Sequence, residues 1–345
     1  TGRPPSWHGI CGNYLIDPAT GKEVIMNDPK WLRVPTIFEA FQKTGATVAV
    51  VTAKDKLRLL LGKELQFNGS AVCFSSERAD RATNSENGIA DVCQFVGMPV
   101  PPVYSAELSE FVFVAGVKLL AARQPHLTYL STTDYIQHRF PPGSKGANDF
   151  YAMFDRYLGQ LDELGASIVL TADHGMKDKH LANGEPDVIY LQDELDRVFG
   201  GKTRVILPIT DPYVVHHGAL GSFATVYLYG AAPQEVADAI ARMEGIDLVL
   251  ERKDACARFE LPEDRIGDLI VISGGPRATK VIGTSRGKHD LAALEGPLRS
   301  HGGLSEQEIP IITNRKAVGL SGALRNFDAF AIGCNHLAEF AKAAE

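Results

Sequence analysis

The chain has 345 residues, 45% of them hydrophobic, which is ample for a sizeable buried core and suits one large domain or two smaller ones. Its 35 Lys and Arg against 42 Asp and Glu give a formal charge of −7, which disfavours nonspecific binding to nucleic acid. With 22% charged residues, 33 Gly and 19 Pro, the composition is neither disordered nor collagen-like.

The chain opens at Thr1-Gly-Arg-Pro-Pro without an initiator Met or a signal peptide, as a fragment would. An amphipathic stretch, Pro35 to Thr44, leads into a β-branched run, Thr47 to Thr52. A helical segment from Glu107 to Arg123 precedes a strand at Leu127–Ser131, and a second, from Asn148 to Leu164, precedes a strand at Ala166–Thr171. Its apolar positions are Phe150, Phe154, Tyr157, Leu158 and Leu161. Continuous apolar strands separated by helices predict an α/β fold whose mostly parallel sheet is sandwiched by helices. Ligands in such folds bind beyond the carboxyl ends of the strands. Thr133-Asp134 and Ala172-Asp173-His174-Gly175 both fall there.

Further on, Phe223–Tyr229 reads as a strand, Pro233–Met243 as a helix opened by proline, and Asp247–Leu250 as a strand. Asp268–Ile272 is a strand that follows an acidic loop. This block fits a smaller α+β cap. The expected division is a core of residues 1–179 and 297–345, with the insertion inside 180–296.

No uninterrupted apolar stretch reaches the roughly 18–20 residues of a membrane helix. The longest candidate, Phe111 to Ala122, is cut by Gly116 and Lys118 and reads as a buried helix. Five scattered cysteines without a CxxC pair argue against a disulfide framework and a thiolate zinc site, and make a reducing cytoplasm the expected location. The expected partner is a small molecule, with no nucleic acid and no membrane; a homodimer is compatible with the sequence.

Three clusters carry chemistry. In Thr133-Asp134-Tyr-Ile-Gln-His138 a strand ends at the Asp, and a helical turn starting there would put His138 on the same face. A carboxylate and an imidazole on one face make two-thirds of a three-ligand zinc site; the alternative is a helix-capping Asp beside a surface His. Asp173-His174-Gly175 lies on a turn after a strand, where both side chains can converge on an ion or merely stabilise the turn. His301 precedes Gly302-Gly303, whose backbone can approach a ligand closely. Together Asp134, His138, Asp173, His174 and His301 offer oxygen and nitrogen donors without thiolate, a set suited to two divalent ions, zinc first and manganese second. Two such ions could clamp the attacking and leaving groups around phosphorus.

This series resembles the metal-binding signature of the alkaline phosphatase superfamily, and more closely its phosphonoacetate-hydrolysing family. The likeness runs over nearly the whole chain, through Thr1–Tyr14, Tyr104–Phe111, Tyr129–His138, Leu170–Met176, the 209–221 stretch and Arg299–Gly303. It implies that Asp134, His138 and His301 hold one zinc, and that Asp173 and His174 are part of the other site. The remaining ligands, an Asp and a nucleophilic Thr, would lie upstream of Thr1. The implied reaction is hydrolysis of the carbon–phosphorus bond of phosphonoacetate to acetate and phosphate. The alternatives are a phosphodiesterase or a phosphoglycerate mutase of the superfamily, or a catalytically incomplete metal-binding fragment.

Asn13 occupies the place where related enzymes offer an amide to a phosphoryl oxygen. Lys54 and Lys56 follow a strand end, and lysines two apart in an extended segment share a side, as cations facing the substrate carboxylate would; the alternative is a solvated charged loop. Lys145 is a third candidate. Gly283–His289 resembles a phosphate loop but has glycine spacing one short and His289 where Ser or Thr is needed. His216 and His217 have no carboxylate at ligand spacing and read as structural or cap-lining. His8, His126, His180, His289 and His336 read as packing or surface residues, and Cys11 as an inert thiol.

Overall fold

The computed structural model describes residues 1–208, 220–274, 279–289, 291, 294 and 296–338. The chain divides into two compact units, one of Thr1–Gly2, Asn27–Ala172 and Pro310–Glu345, the other of Arg3–Met26 and Asp173–Ile309. These units partition the chain differently from the expected core and insertion. Arg3–Met26 belongs to the second unit because Asn13 donates its N–H to the Pro208 carbonyl at 2.6 Å and accepts the Met26 N–H at 2.8 Å. The segments flanking 180–296 belong there because Lys177–Asp178 pairs with Arg299–Ser300.

In the first unit Thr36 caps helix α1 (Ile37–Lys43), its hydroxyl accepting the Glu39 N–H at 3.0 Å. The chain continues through β1 (Val48–Thr52), α2 (Asp55–Leu61), β2 (Ala71–Ser75), α3 (Glu107–Arg123) and β3 (Leu127–Ser131). The strands form a parallel sheet in the order β2-β1-β3, with Thr52 opposite both Ser75 and Ser131. Side chains alternate across it. Ala49, Val51, Val72 and Phe74 enter one core with Leu108, Phe111 and Leu119 of α3, while Val48, Val50, Ala71 and Cys73 join Phe38 of α1 on the other face. Both faces are apolar, so β1 reads as an unbroken hydrophobic run. Each such fully buried Val, Leu or Phe contributes roughly 1.5–3 kcal/mol relative to an exposed one. At Gly116, α3 comes so near β3 that a Cβ would lie 2.5 Å from Leu130 Cδ1. The sequence reading omitted β2: Ala-Val-Cys-Phe-Ser is short and has only one β-branched residue.

Helices α4 (Tyr135–Arg139) and α5 (Lys145–Glu163) follow, α5 meeting α3 through Phe113 and Phe154, whose ring centroids are 4.5 Å apart. Strand β4 (Val169–Thr171) pairs antiparallel with Ile311–Thr313. In the second unit α6 (Leu191–Phe199), β5 (Thr203–Ile206), β6 (Phe223–Leu228), α7 (Pro233–Ala241), β7 (Ile246–Glu251), α8 (Arg252–Phe259) and β8 (Leu269–Ser273) build an antiparallel sheet ordered β7-β8-β6-β5. Leu191, Leu195, Val236 and Ile240 cover one face with Val226 and Val271, and Ala255 of α8 joins Ile270 and Ile272 on the other. The acidic loop expected before Asp268 therefore contains helix α8, whose buried Ala255 anchors it. His216 and His217 lie outside the described residues. Among the described residues no helix is long and apolar enough to cross a membrane.

Two properties of the first unit are open to measurement. Gly88 ends a helical turn at φ +71°, and a Cβ there would fall 2.0 Å from the Ala71 carbonyl oxygen. Gly88→Ala is expected to destabilise the protein by about 2 kcal/mol or more, seen as a lower urea midpoint; an unchanged midpoint would show that β2 yields. Burial pushes the Cys73 thiol up to about 12, whereas the Cys334 side chain is exposed. At pH 8 iodoacetamide should therefore label Cys334 and spare Cys73 until denaturant is added, as mass spectrometry of the native protein will show.

Candidate functional site

In the first unit the parallel register decides where chemistry can occur. Because Thr52 and Ser131 are partners, the chain leaves β1 and β3 side by side at their C-terminal ends, and the Ala53 N–H donates to the Ser131 carbonyl at 2.8 Å just beyond. Lys54 and Asp134 are the first charged residues past those ends. Asp134 stands at the N-cap of α4, and His138 lies one turn on, as the spacing predicts. Asp134 Oδ2 and His138 Nε2 are 3.0 Å apart, with the His side chain 7% exposed and the Asp 42%. Two ligands 2.0–2.1 Å from one tetrahedral ion are about 3.3 Å apart, so this spacing is one that a shared divalent ion can bridge. The Thr133 N–H donates to Ser109 Oγ at 3.3 Å, tying the turn to buried α3.

The lysines are arranged otherwise than expected. Lys54 is extended, at φ −103° and ψ 131°, and its Nζ lies 5.6 Å from the centre of the Tyr104 ring. Lys56 sits in the first turn of α2, where residues two apart do not face each other, so the argument from an extended segment fails. The helix starts at Asp55 because that carboxylate is bonded to Arg58 Nε at 2.7 Å and to the Ser75 hydroxyl at 2.8 Å. Burial pushes the Asp55 carboxyl up, but these two partners outweigh it and hold the group below the usual range. Lys145 opens α5 with its ammonium 2.6 Å from Asp149, an exposed pair one turn apart.

In the second unit a two-residue ladder does the corresponding work. Lys177 pairs with Ser300 and Asp178 with Arg299, antiparallel, so the loops bearing His174 and His301 leave the ladder at the same end. Their imidazoles stack, centroids 3.5 Å apart and planes 7° from parallel. His174 Nδ1 is 2.9 Å from the Gly175 carbonyl, which can only accept; a proton on Nδ1 leaves Nε2 of a neutral ring as the nitrogen that could ligate a metal ion. Nε2 lies 3.6 Å from Asp173 Oδ2, on a carboxylate that is 85% exposed. The His301 carbonyl accepts the Ser222 N–H at 2.8 Å, which fixes its loop to the unit's body. Asn13 is held by its backbone bonds to Pro208 and Met26, and Gly12 before it lets the chain close on Pro208, where a Cβ would be 2.5 Å from Pro208 Cβ.

Each unit thus brings together two of the residues that the sequence named: Asp134 with His138, which were expected to share an ion, and His174 with His301, which were expected at different ions. The histidines set aside as structural have backbone contacts in keeping with that: His289 Nε2 accepts the Thr284 N–H at 2.9 Å, and His126 Nδ1 the Thr47 N–H at 3.1 Å. Burial holds the His8 imidazole down at about 4. Two residues beside the histidine loops were missed, Lys179 and Glu306, which form a buried ion pair at 3.2 Å. In sequence they belong to charged stretches, Lys177-Asp-Lys179 and Glu306-Gln-Glu308, which read as solvated faces; only burial singles them out.

Residues 1–279 match the family model of type I phosphodiesterase / nucleotide pyrophosphatase. Among solved structures, the chain is similar to phosphonoacetate hydrolase from Sinorhizobium meliloti 1021 in complex with phosphonoformate. The two are 62% identical with a TM-score of 0.92, over 96% of this chain and 81% of that one. The structure of the same protein in complex with phosphonoacetate gives the same figures. Murine ectonucleotide pyrophosphatase / phosphodiesterase 5 shares the fold at 17% identity and a TM-score of 0.62, over 97% of this chain and 80% of that one. A model match spanning most of the chain and a 62% identical relative agree with the strand-end donors, and the chain belongs to the type I phosphodiesterase / nucleotide pyrophosphatase family of the alkaline phosphatase superfamily.

Proposed function

We propose that the chain hydrolyses the carbon–phosphorus bond of phosphonoacetate, using two zinc ions. The observation that carries this reading is the 62% identity, over nearly the whole chain, to a phosphonoacetate hydrolase captured with phosphonoacetate and with phosphonoformate. Both ligands carry a carboxylate beside the phosphonate, so the bound group is an anion with two charged ends. In this reading Asp134, His138 and His301 hold one ion, and Asp173 and His174 contribute to the other, completed by an Asp and a nucleophilic Thr that the family pattern places upstream of Thr1. The donors fit zinc: imidazole and carboxylate without thiolate, with one His almost fully buried against its Asp and another with its Nδ1 proton turned to a carbonyl. Bound divalent ions supply Lewis-acid stabilisation of phosphonyl oxygens and activation of a coordinated hydroxyl.

The chain's own residues handle the leaving group. When the carbon–phosphorus bond breaks, its electron pair goes to carbon and into the carboxylate, giving an enolate-like dianion. Lys54, just past the C-terminal end of β1, would compensate that charge, with Lys56, in the first turn of α2, a second cation. The carbon then takes a proton, and water provides the fourth oxygen of phosphate. Asn13 donates its amide to a phosphoryl oxygen. Lys145 is a third cation, which would have to leave its exposed ion pair with Asp149 to reach the substrate. The five scattered cysteines include no CxxC pair, which supports a cytoplasmic location in this reading.

In a protein that includes the upstream Asp and Thr, Asp134→Ala is expected to lose about one zinc per chain by elemental analysis and to cut kcat at least about 100-fold. Full activity with two zinc ions would remove the ligand assignment. Lys54→Met should lower kcat/KM for phosphonoacetate by about 100-fold while changing that for a phosphonate monoester without a carboxylate by less than about fivefold. Equal losses on both would remove the carboxylate role, and turnover of diesters alone would favour a phosphodiesterase.

A further inference from the structure

The two histidine loops of the second unit share one support. The carbonyl of Glu306 accepts the Gly175 N–H at 2.7 Å, one residue after His174. The carboxylate of the same residue accepts the Gly303 N–H at 2.7 Å through Oε2, two residues after His301. Its other oxygen receives Lys179 Nζ at 3.2 Å and the Ser305 hydroxyl. Lys179 is fully buried and Glu306 is 2% exposed. Both glycines allow this close approach. A Cβ on Gly303 would come within 2.8 Å of Glu306 Oε2, and one on Gly175 within 3.3 Å of the Glu306 carbonyl oxygen. Lys179 is itself fixed from the opposite side, its N–H donating to the Leu298 carbonyl three residues before His301.

A buried ion pair is a poor device for stability alone, because desolvating both charges offsets much of their attraction and apolar groups of similar volume often serve as well. Here, however, an apolar pair could not bond the Gly303 N–H. We infer that Lys179 and Glu306 are positioning residues: they lock the His174 and His301 loops against each other, so that the two rings are held in register before any ion or substrate arrives. The inference rests on the metal-binding reading given above for its benefit to zinc affinity, and on the geometry of one unit for the lock itself.

Two variants of the full chain test it, Glu306→Gln and the double change Lys179→Met with Glu306→Leu. The second leaves no unpaired buried charge and so guards against a failure to fold. In metal-free protein, amide hydrogen exchange at Gly303 should speed up at least about tenfold in the double variant, while exchange in β1 and β2 stays as in the wild type. Zinc affinity should fall about 10–100-fold in both variants, as for other groups that orient ligands from behind. Gly303 exchange within twofold of the wild type would overturn the lock, whatever zinc does. Faster exchange with unchanged zinc affinity would make the pair structural only and overturn its positioning role. Absence of zinc binding by the wild-type protein would instead overturn the proposed function, and would by the same result leave these residues nothing to position.

Discussion

The pairing of Thr52 with Ser131 across neighbouring parallel strands is the constraint on which the chemistry of the first unit depends. Parallel strands finish on the same side of a sheet, and their register sets how far each chain has run when it leaves. With these partners level, the turn after β1 and the turn after β3 begin side by side. A shift of one residue would turn every side chain of β1 to the opposite face and take Val48 and Val50 out of the core they share with Phe38. Apolar packing on both faces therefore fixes the position of two charged turns that contribute little to stability themselves.

The second unit solves a similar problem with far less material. Its ladder is two residues long, too short to be stable alone, and it is flanked by glycines that let the backbone come close. Hydrogen bonds to buried groups take over: Ser222 to the His301 carbonyl, and Glu306 to both histidine loops. This division between an apolar scaffold and a polar lock reflects the task. The end of a packed strand goes far towards placing a carboxylate, but two stacked imidazoles on loops need directional bonds to hold their orientation.

The chemistry proposed makes different demands on the two kinds of support. Cleaving a carbon–phosphorus bond leaves electron density on carbon, and the substrate's own carboxylate can absorb it only if a cation is close when the charge develops. A lysine just past a strand end, with its backbone positioned by the sheet and its ammonium near the Tyr104 ring, is restrained in where its charge can go. Metal ligands need tighter control, because a small displacement of one donor alters the coordination of the ion.

Much of this was legible in the sequence. The α/β class followed from unbroken apolar runs alternating with helical spacing, and Glu107–Arg123 is a helix over the span its pattern indicates. The four-residue interval from Asp134 to His138 sufficed to predict a shared helical face, since that relation is local. Strand β2 and helix α8 escaped notice because Ala, Ser and Cys in one, and charged residues in the other, carry little periodic signal of their own. Donor chemistry is a property of side chains, so the sequence was enough to nominate Asp134, His138, Asp173, His174 and His301 as candidate ligands. It took the folded chain to show that His174 and His301 stack, that Lys56 lies in the first turn of a helix, and that Lys179 and Glu306 are buried partners 127 residues apart. Those facts depend on which distant segments share a ladder and on where water is excluded, and neither is encoded in any local spacing.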